Sequence, residues 1–113
     1  MLMATDGYLR ALSQSLWYAL AGTRGGATRM QLLQLLRERP YNVNQLHEKL
    51  RLDYKTVQHH IKVLLNENII TTDDRKKYGC MYFLSPLLEE NISLLDSILG
   101  KTGKSKLNKE EKD

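Results

Sequence analysis

The stretch Tyr54–Leu65, YKTVQHHIKVLL, decides how this chain is read. Val57, Ile61, Leu64 and Leu65 recur at the three-four spacing that puts them on one side of a helix; Lys55, Gln58, His59 and Lys62 occupy the other side, with no acid among them. One face suits a core and the other suits the major groove of DNA. Lys55 and Lys62 can neutralise phosphate or read guanine, Gln58 can pair bidentately with adenine, and His59 can donate or accept at a base edge. Tyr54 and Thr56, near the helix start, are placed to meet phosphate or a thymine methyl. His60 lies about 100° around the helix from His59, between Val57 and Leu64, and is expected at the core margin as a hydrogen-bonded, partly buried residue.

Working outward, Asn44 is positioned to cap a short helix, Gln45 to Leu50, and Arg51-Leu52-Asp53 then ends in a residue whose carboxylate can accept from the first turn of the next helix. Two helices joined by so short a link form a helix-turn-helix. Downstream, Ile69 to Thr72 and Cys80 to Leu84 are β-prone runs flanking a polar segment, residues 73–79, that ends in Gly79. This predicts a hairpin whose tip carries Arg75, Lys76 and Lys77 for phosphate, with Asp73 and Asp74 reducing its local charge to about +1.

The tract NVNQLHEKLRLDYKTVQHHIKVLLNENIIT, followed by YGCMYFLS, resembles the winged helix-turn-helix transcription regulators of the ArsR-like group. Within that group it is similar to short archaeal members with a DYKTVxHHxxVLxxNxxI signature and a YGxxYxLS/T second wing strand. The resemblance covers roughly Gly25 to Pro86. It implies a mainly α fold with a small β-hairpin wing (α+β), DNA binding through the second helix of the motif, and pairing of Val43 at the edge of the wing. It also implies dimerisation through terminal helices.

Those helices are visible in the pattern. Leu9, Leu12, Leu16 and Leu20 predict an amphipathic helix over Tyr8 to Leu20, after which Gly22, Gly25 and Gly26 predict a break. Thr28 and Gln31 have capping-box spacing and open a helix filled by Leu32, Leu33, Leu35 and Leu36, with Arg29, Arg37 and Arg39 toward solvent, until Pro40 stops it. Ser85 as cap and Pro86 at the first position start a last helix, carrying Leu88, Ile92, Leu95 and Leu99 and ending at Gly100. A wide apolar stripe on a terminal helix must be covered, either by its own domain or by a second chain. The reading favours a homodimer joined through Leu9, Leu12, Leu16, Leu20, Leu88, Ile92, Leu95 and Leu99. Two recognition helices would then meet half-sites about 34 Å apart on a pseudo-palindromic double-stranded operator.

The expected organisation is an N-terminal dimerisation helix over 1–24, a DNA-binding domain over 25–85, a C-terminal dimerisation helix over 86–100 and a disordered tail over 101–113. That tail holds five lysines, three acids and one large apolar residue, too little to bury itself. At 113 residues the chain is one domain with appendages, and a formal charge of +4 suits a polyanionic partner. The lone Cys80 excludes an intrachain disulfide and fits a reducing cytoplasm; it is read as a small strand residue. No apolar run approaches the roughly 18 residues that span a bilayer. Histidines 47, 59 and 60 with Cys80 offer no i,i+4 His pair, CxxC or CxC, so no metal and no cofactor is expected. No glycine-rich phosphate loop or catalytic triad stands out, so the chain is not read as an enzyme. The alternative is a winged-helix module of a larger assembly that binds protein or RNA.

Overall fold

A computed structural model describes residues 2–73 and 79–100, with side chains from residue 7 onward. Among these residues six α-helices, a π-helical turn and a hairpin follow one another as α1 (Leu2–Trp17), the π-helical turn (Tyr18–Gly22), α2 (Gly26–Glu38), α3 (Val43–Leu50), α4 (Tyr54–Asn66), β1 (Ile70–Thr72), β2 (Tyr82–Leu84), α5 (Pro86–Glu90) and α6 (92–100). Helices α2, α3 and α4 pack on one another, the hairpin leans on α2 and α4, and α1 meets α5. One continuous core joins Leu12, Leu16 and Leu20 to Leu32, Leu33, Leu46, Val57, Leu64, Leu88 and Leu95.

The first helix begins at Leu2 rather than Tyr8, and helical geometry continues past Leu20 to Gly22 as the π-helical turn. The glycine-rich break is therefore short, and two glycines make it possible. Gly25 has φ 91°, which a side chain tolerates poorly, and a Cβ on Gly26 would stand 2.1 Å from the Leu20 carbonyl oxygen. Gly26 thus lets α2 start directly against the π-helical turn. For that reason α2 opens at Gly26 with no side-chain cap, and the expected Thr28–Gln31 cap is not its start.

Asn42, not Asn44, caps α3. Its side chain accepts from Gln45 N–H (2.8 Å) while Gln45 Oε1 accepts from Asn42 N–H (2.9 Å), a reciprocal capping box. Arg51, at φ 57°, ends α3 in the left-handed conformation and opens the turn into α4. Asp53 holds the N-cap position of α4, but its carboxylate makes no capping bond there; its backbone carbonyl accepts from Val57 N–H at 3.0 Å.

The strands are shorter than the β-prone runs, because only three antiparallel pairs form: Ile70 with Leu84, Thr71 with Phe83 and Thr72 with Tyr82. Tyr41, rather than Val43, bridges the hairpin, its carbonyl accepting from Tyr82 N–H at 2.9 Å. Val43 is already the first residue of α3. Ser85 caps α5 as its sequence predicts, with Pro86 at the first position. The last helix is not continuous: Asn91 leaves helical geometry at φ −130°, its amide donates to the Leu87 carbonyl, and α6 resumes at 92. An exposed bidentate pair, Arg37 to Asp96 at 2.6 and 3.1 Å, ties α2 to α6. That hydrogen bond holds Arg37 above, and Asp96 below, their ordinary pKa values.

Candidate nucleic-acid interface

The two faces of α4 separate as the spacing requires. Val57, His60, Ile61 and Leu64 are buried, whereas Tyr54, Lys55, Thr56, Gln58, His59 and Lys62 are all exposed. Lys55, Gln58, His59 and Lys62 line one open groove with a cavity volume of about 560 Å³, completed by Val43 from α3, Tyr82 from β2, and Ile61 and Leu65. Polar groups capable of both donating and accepting thus converge on one concave surface between α4 and the base of the hairpin. Tyr54, at the start of α4, does not line the groove; its ring is edge-on to His47 at 5.6 Å between centroids, and the His47 Nδ1 lies 3.3 Å from the Leu52 carbonyl. Arg75, Lys76 and Lys77, expected at the hairpin tip, lie outside the described residues, as does the tail over 101–113.

Sequence spacing alone missed two features of this region. Arg51 is exposed in the turn leading into α4, and its positive φ aims the chain there. Its place in the turn between the two helices was signal enough to count it among the basic residues. Arg29 is the larger correction. Expected toward solvent, it is 1 % exposed beneath α4. Its Nε donates to the Ala19 carbonyl (2.8 Å), Nη2 to Thr23 Oγ1 (2.6 Å) and the Arg24 carbonyl (2.8 Å), and Nη1 lies 3.0 Å from His60 Nδ1. A guanidinium has no acceptor, so His60 must accept at Nδ1 and is neutral with its proton on Nε2. Burial pushes the His60 pKa down, and the charge of Arg29 and then the neighbouring His59 push it the same way. Burial lowers Arg29 too, partly offset by Tyr18.

Of the residues expected at a dimer contact, Leu12, Leu16, Leu20, Leu88 and Leu95 are buried within the single chain, where α1, the π-helical turn, α5 and α6 fold onto their own domain. Leu9, Ile92 and Leu99 are half-buried. Alongside them α1 and the π-helical turn leave Tyr8 (67 %), Trp17 (36 %) and Tyr18 (52 %) exposed. Cys80 is half-buried beside the wing, its thiol 3.5 Å from the Tyr82 hydroxyl. Among the described residues, no group of three or more His, Cys, Asp or Glu side chains converges as a metal would need, and no helix is long and apolar enough to cross a membrane.

A helix-turn-helix of α3 and α4, buttressed by α2 and flanked by an antiparallel hairpin, defines the winged helix-turn-helix fold. Residues 26–72, from the start of α2 to the end of β1, match the family model described as "Bacterial regulatory protein, arsR family". The chain is also similar to solved structures of transcriptional regulators. The regulator HlyU from Vibrio vulnificus shares 25 % identity over 87 % of this chain and 98 % of its own, at a TM-score of 0.60. Reduced HlyU from Vibrio cholerae shares 21 % over 86 % and 95 %, at 0.61. A possible transcriptional regulator from Methanosarcina mazei shares 21 % over 88 % and 84 %, at 0.51. No curated protein sequence matches the chain. It carries an ArsR-like helix-turn-helix in a transcription-regulator fold, which is not an enzyme's.

Proposed function

We propose that this protein is a sequence-specific, double-stranded-DNA-binding transcription regulator that inserts α4 into the major groove. The observation that carries this reading is the exposed row Lys55, Gln58, His59 and Lys62, rigidly backed by the buried Val57, Ile61 and Leu64 of the same helix. Fixed side chains on a packed helix can read base edges, because the register of each donor and acceptor is set before the DNA arrives. Tyr54 and Thr56 meet the backbone at the helix start, and the 73–79 segment with Arg75, Lys76 and Lys77 follows the adjacent phosphates.

The protein acts as a cytoplasmic homodimer on a pseudo-palindromic operator. Since most of the leucines on the terminal helices are already used within the chain, the contact is assigned to apolar side chains that those helices leave at least partly at the surface: the half-buried Leu9, Ile92 and Leu99, with exposed Tyr8, Trp17 or Tyr18 beside them according to which face meets the second copy. The signature in α4 and β2 is the ground for grouping the chain with short archaeal regulators; the Methanosarcina mazei likeness carries the fold alone.

Selection of bound duplexes from a random pool, read by sequencing, tests the reading. An enriched motif of two inverted half-sites, centred about one helical turn apart, supports both DNA reading and the dimer. An enriched single half-site with a monomeric mass by light scattering removes the dimer. No enrichment, with binding insensitive to salt, favours a protein-binding module instead.

A further inference from the structure

We infer that Arg29 and His60 form a proton-sensitive joint that sets the pose of α4 against the end of the N-terminal helical segment. Resting on the DNA-binding reading of α4, this joint makes duplex affinity fall as the medium turns mildly acidic. The geometry is specific. A single guanidinium under α4 bonds at once to the π-helical turn (Ala19 carbonyl), the following loop (Thr23 hydroxyl and Arg24 carbonyl) and α4 itself (His60 Nδ1). The joint is closed on its outer side too, because a Cβ on Gly25 would stand 2.7 Å from His60 Cε1 and 3.0 Å from Arg29 Nη1. His60 is 7 % exposed and one residue from the groove residue His59.

The bond between Arg29 and His60 exists only while Nδ1 carries a lone pair. A proton there leaves two donors facing each other 3.0 Å apart, and two cations where there was one. The groups facing the pair make this worse. From α2 there is Arg29 itself, from the π-helical turn Tyr18, from the loop the hydroxyl of Thr23 and the carbonyl of Arg24, and from α4 the ring of His59, 5.4 Å away centroid to centroid. The partners of Arg29 are neutral, so none of them compensates a second positive charge. The relief available is separation, in which α4 moves off the π-helical turn or the His60 ring swings out of its pocket. Either displaces Gln58, His59 and Lys62 from their shared groove.

His59, exposed on the DNA face and next to His60 in the chain, is a second imidazole that can touch the duplex, so the two histidines must be separated. Affinity for a selected duplex, measured by fluorescence anisotropy at fixed ionic strength, is compared in His59→Gln and in His59→Gln/His60→Gln. Gln at 60 keeps an acceptor for Arg29 but does not titrate. Between about pH 7.5 and 5.5 the single variant is expected to lose affinity by roughly fivefold or more, while the double variant stays within about twofold. Equal pH profiles for the two variants overturn the proposal. A second measurement needs no DNA: in the wild-type protein, histidine ring nitrogen spectra should show His60 protonated on Nε2 at neutral pH, and the amide signals of Ala19, Thr23 and Gly25 should shift with its titration. Amides that stay fixed while His60 titrates overturn the joint. If no duplex binds at neutral pH the DNA-binding reading falls, and these spectra still decide the joint by themselves.

Discussion

Replacing Gly26 with alanine is the sharpest test of how the N-terminal segment is joined to the helix-turn-helix. The added methyl would lie 2.1 Å from the Leu20 carbonyl oxygen, 2.7 Å from its carbonyl carbon and 3.2 Å from its Cα. All three atoms are backbone, so no side chain can rotate away. The carbonyl or α2 must retreat by about 0.9 Å to reach even 3.0 Å, the shortest separation real Cβ atoms show. Such a retreat also pulls Arg29, one turn into α2, from the Ala19 carbonyl it holds at 2.8 Å. Overpacking of a well-packed site typically costs 1–3 kcal/mol, and a backbone clash with a lost buried bond belongs at the upper end, about 3 kcal/mol. For a chain of 113 residues that lowers Tm by roughly 13 °C. Thermal melting followed by far-ultraviolet circular dichroism measures it. Gly22→Ala is the internal control, since its methyl meets only the Trp17 carbonyl at an ordinary 3.4 Å and should leave Tm within about 4 °C. A Gly26→Ala protein melting as close to wild type as that would refute the argument that α2 and the π-helical turn are fixed against each other.

Four further outcomes are expected. Asn42→Ala removes one half of the α3 capping box and should destabilise by about 1 kcal/mol in urea unfolding, and an unchanged midpoint would contradict the box. Because folding depresses the His60 pKa, its neutral form stabilises the fold fully above the unfolded value near 6.5, and that contribution is lost as pH falls through the depressed folded value. Wild-type Tm should therefore drop, relative to His60→Gln, on moving from about pH 8 to pH 5, and a constant difference would contradict the assigned tautomer. Gln58→Ala should relax base preference at one operator position by roughly 1–3 kcal/mol while random-sequence affinity changes little. Lys76→Ala should weaken all duplexes alike and reduce the salt slope by about one, an effect read from a salt titration.

The helix-turn-helix was legible because its two periodicities are local. Val57, Ile61 and Leu64 declare a buried stripe without reference to any other part of the chain. Arg29 was not, for an instructive reason. It shares the side of α2 that Leu32 and Leu33 occupy three and four residues on, yet an arginine is expected to keep its charge in solvent unless acceptors surround it. What decides burial there is a set of acceptors supplied by Ala19, Thr23, Arg24 and His60, up to 31 residues away, and no local pattern reveals them. The cap of α3 was recoverable: Asn42 has a glutamine three residues on and Asn44 has a histidine, and only the former completes a box. The uncapped start of α2 was not, since it depends on the contact between Gly26 and the Leu20 carbonyl. The continuous helix expected over 86–100 failed at Asn91, whose side-chain amide competes locally for the Leu87 carbonyl.

The bridge between Tyr41 and Tyr82 has a consequence for how this small protein avoids sticking to itself. An exposed strand edge invites another chain to add a strand. On β2 one edge is taken by β1 and the other by the Tyr41 carbonyl, while Arg39 sits over the Tyr41 ring at 4.6 Å and Lys49 at 5.5 Å. Any invading strand must therefore approach β1, which offers three residues, two of them threonines. That is too short a template to hold an extended neighbour, so the hairpin is guarded on one side by a tyrosine carbonyl and on the other by its own shortness.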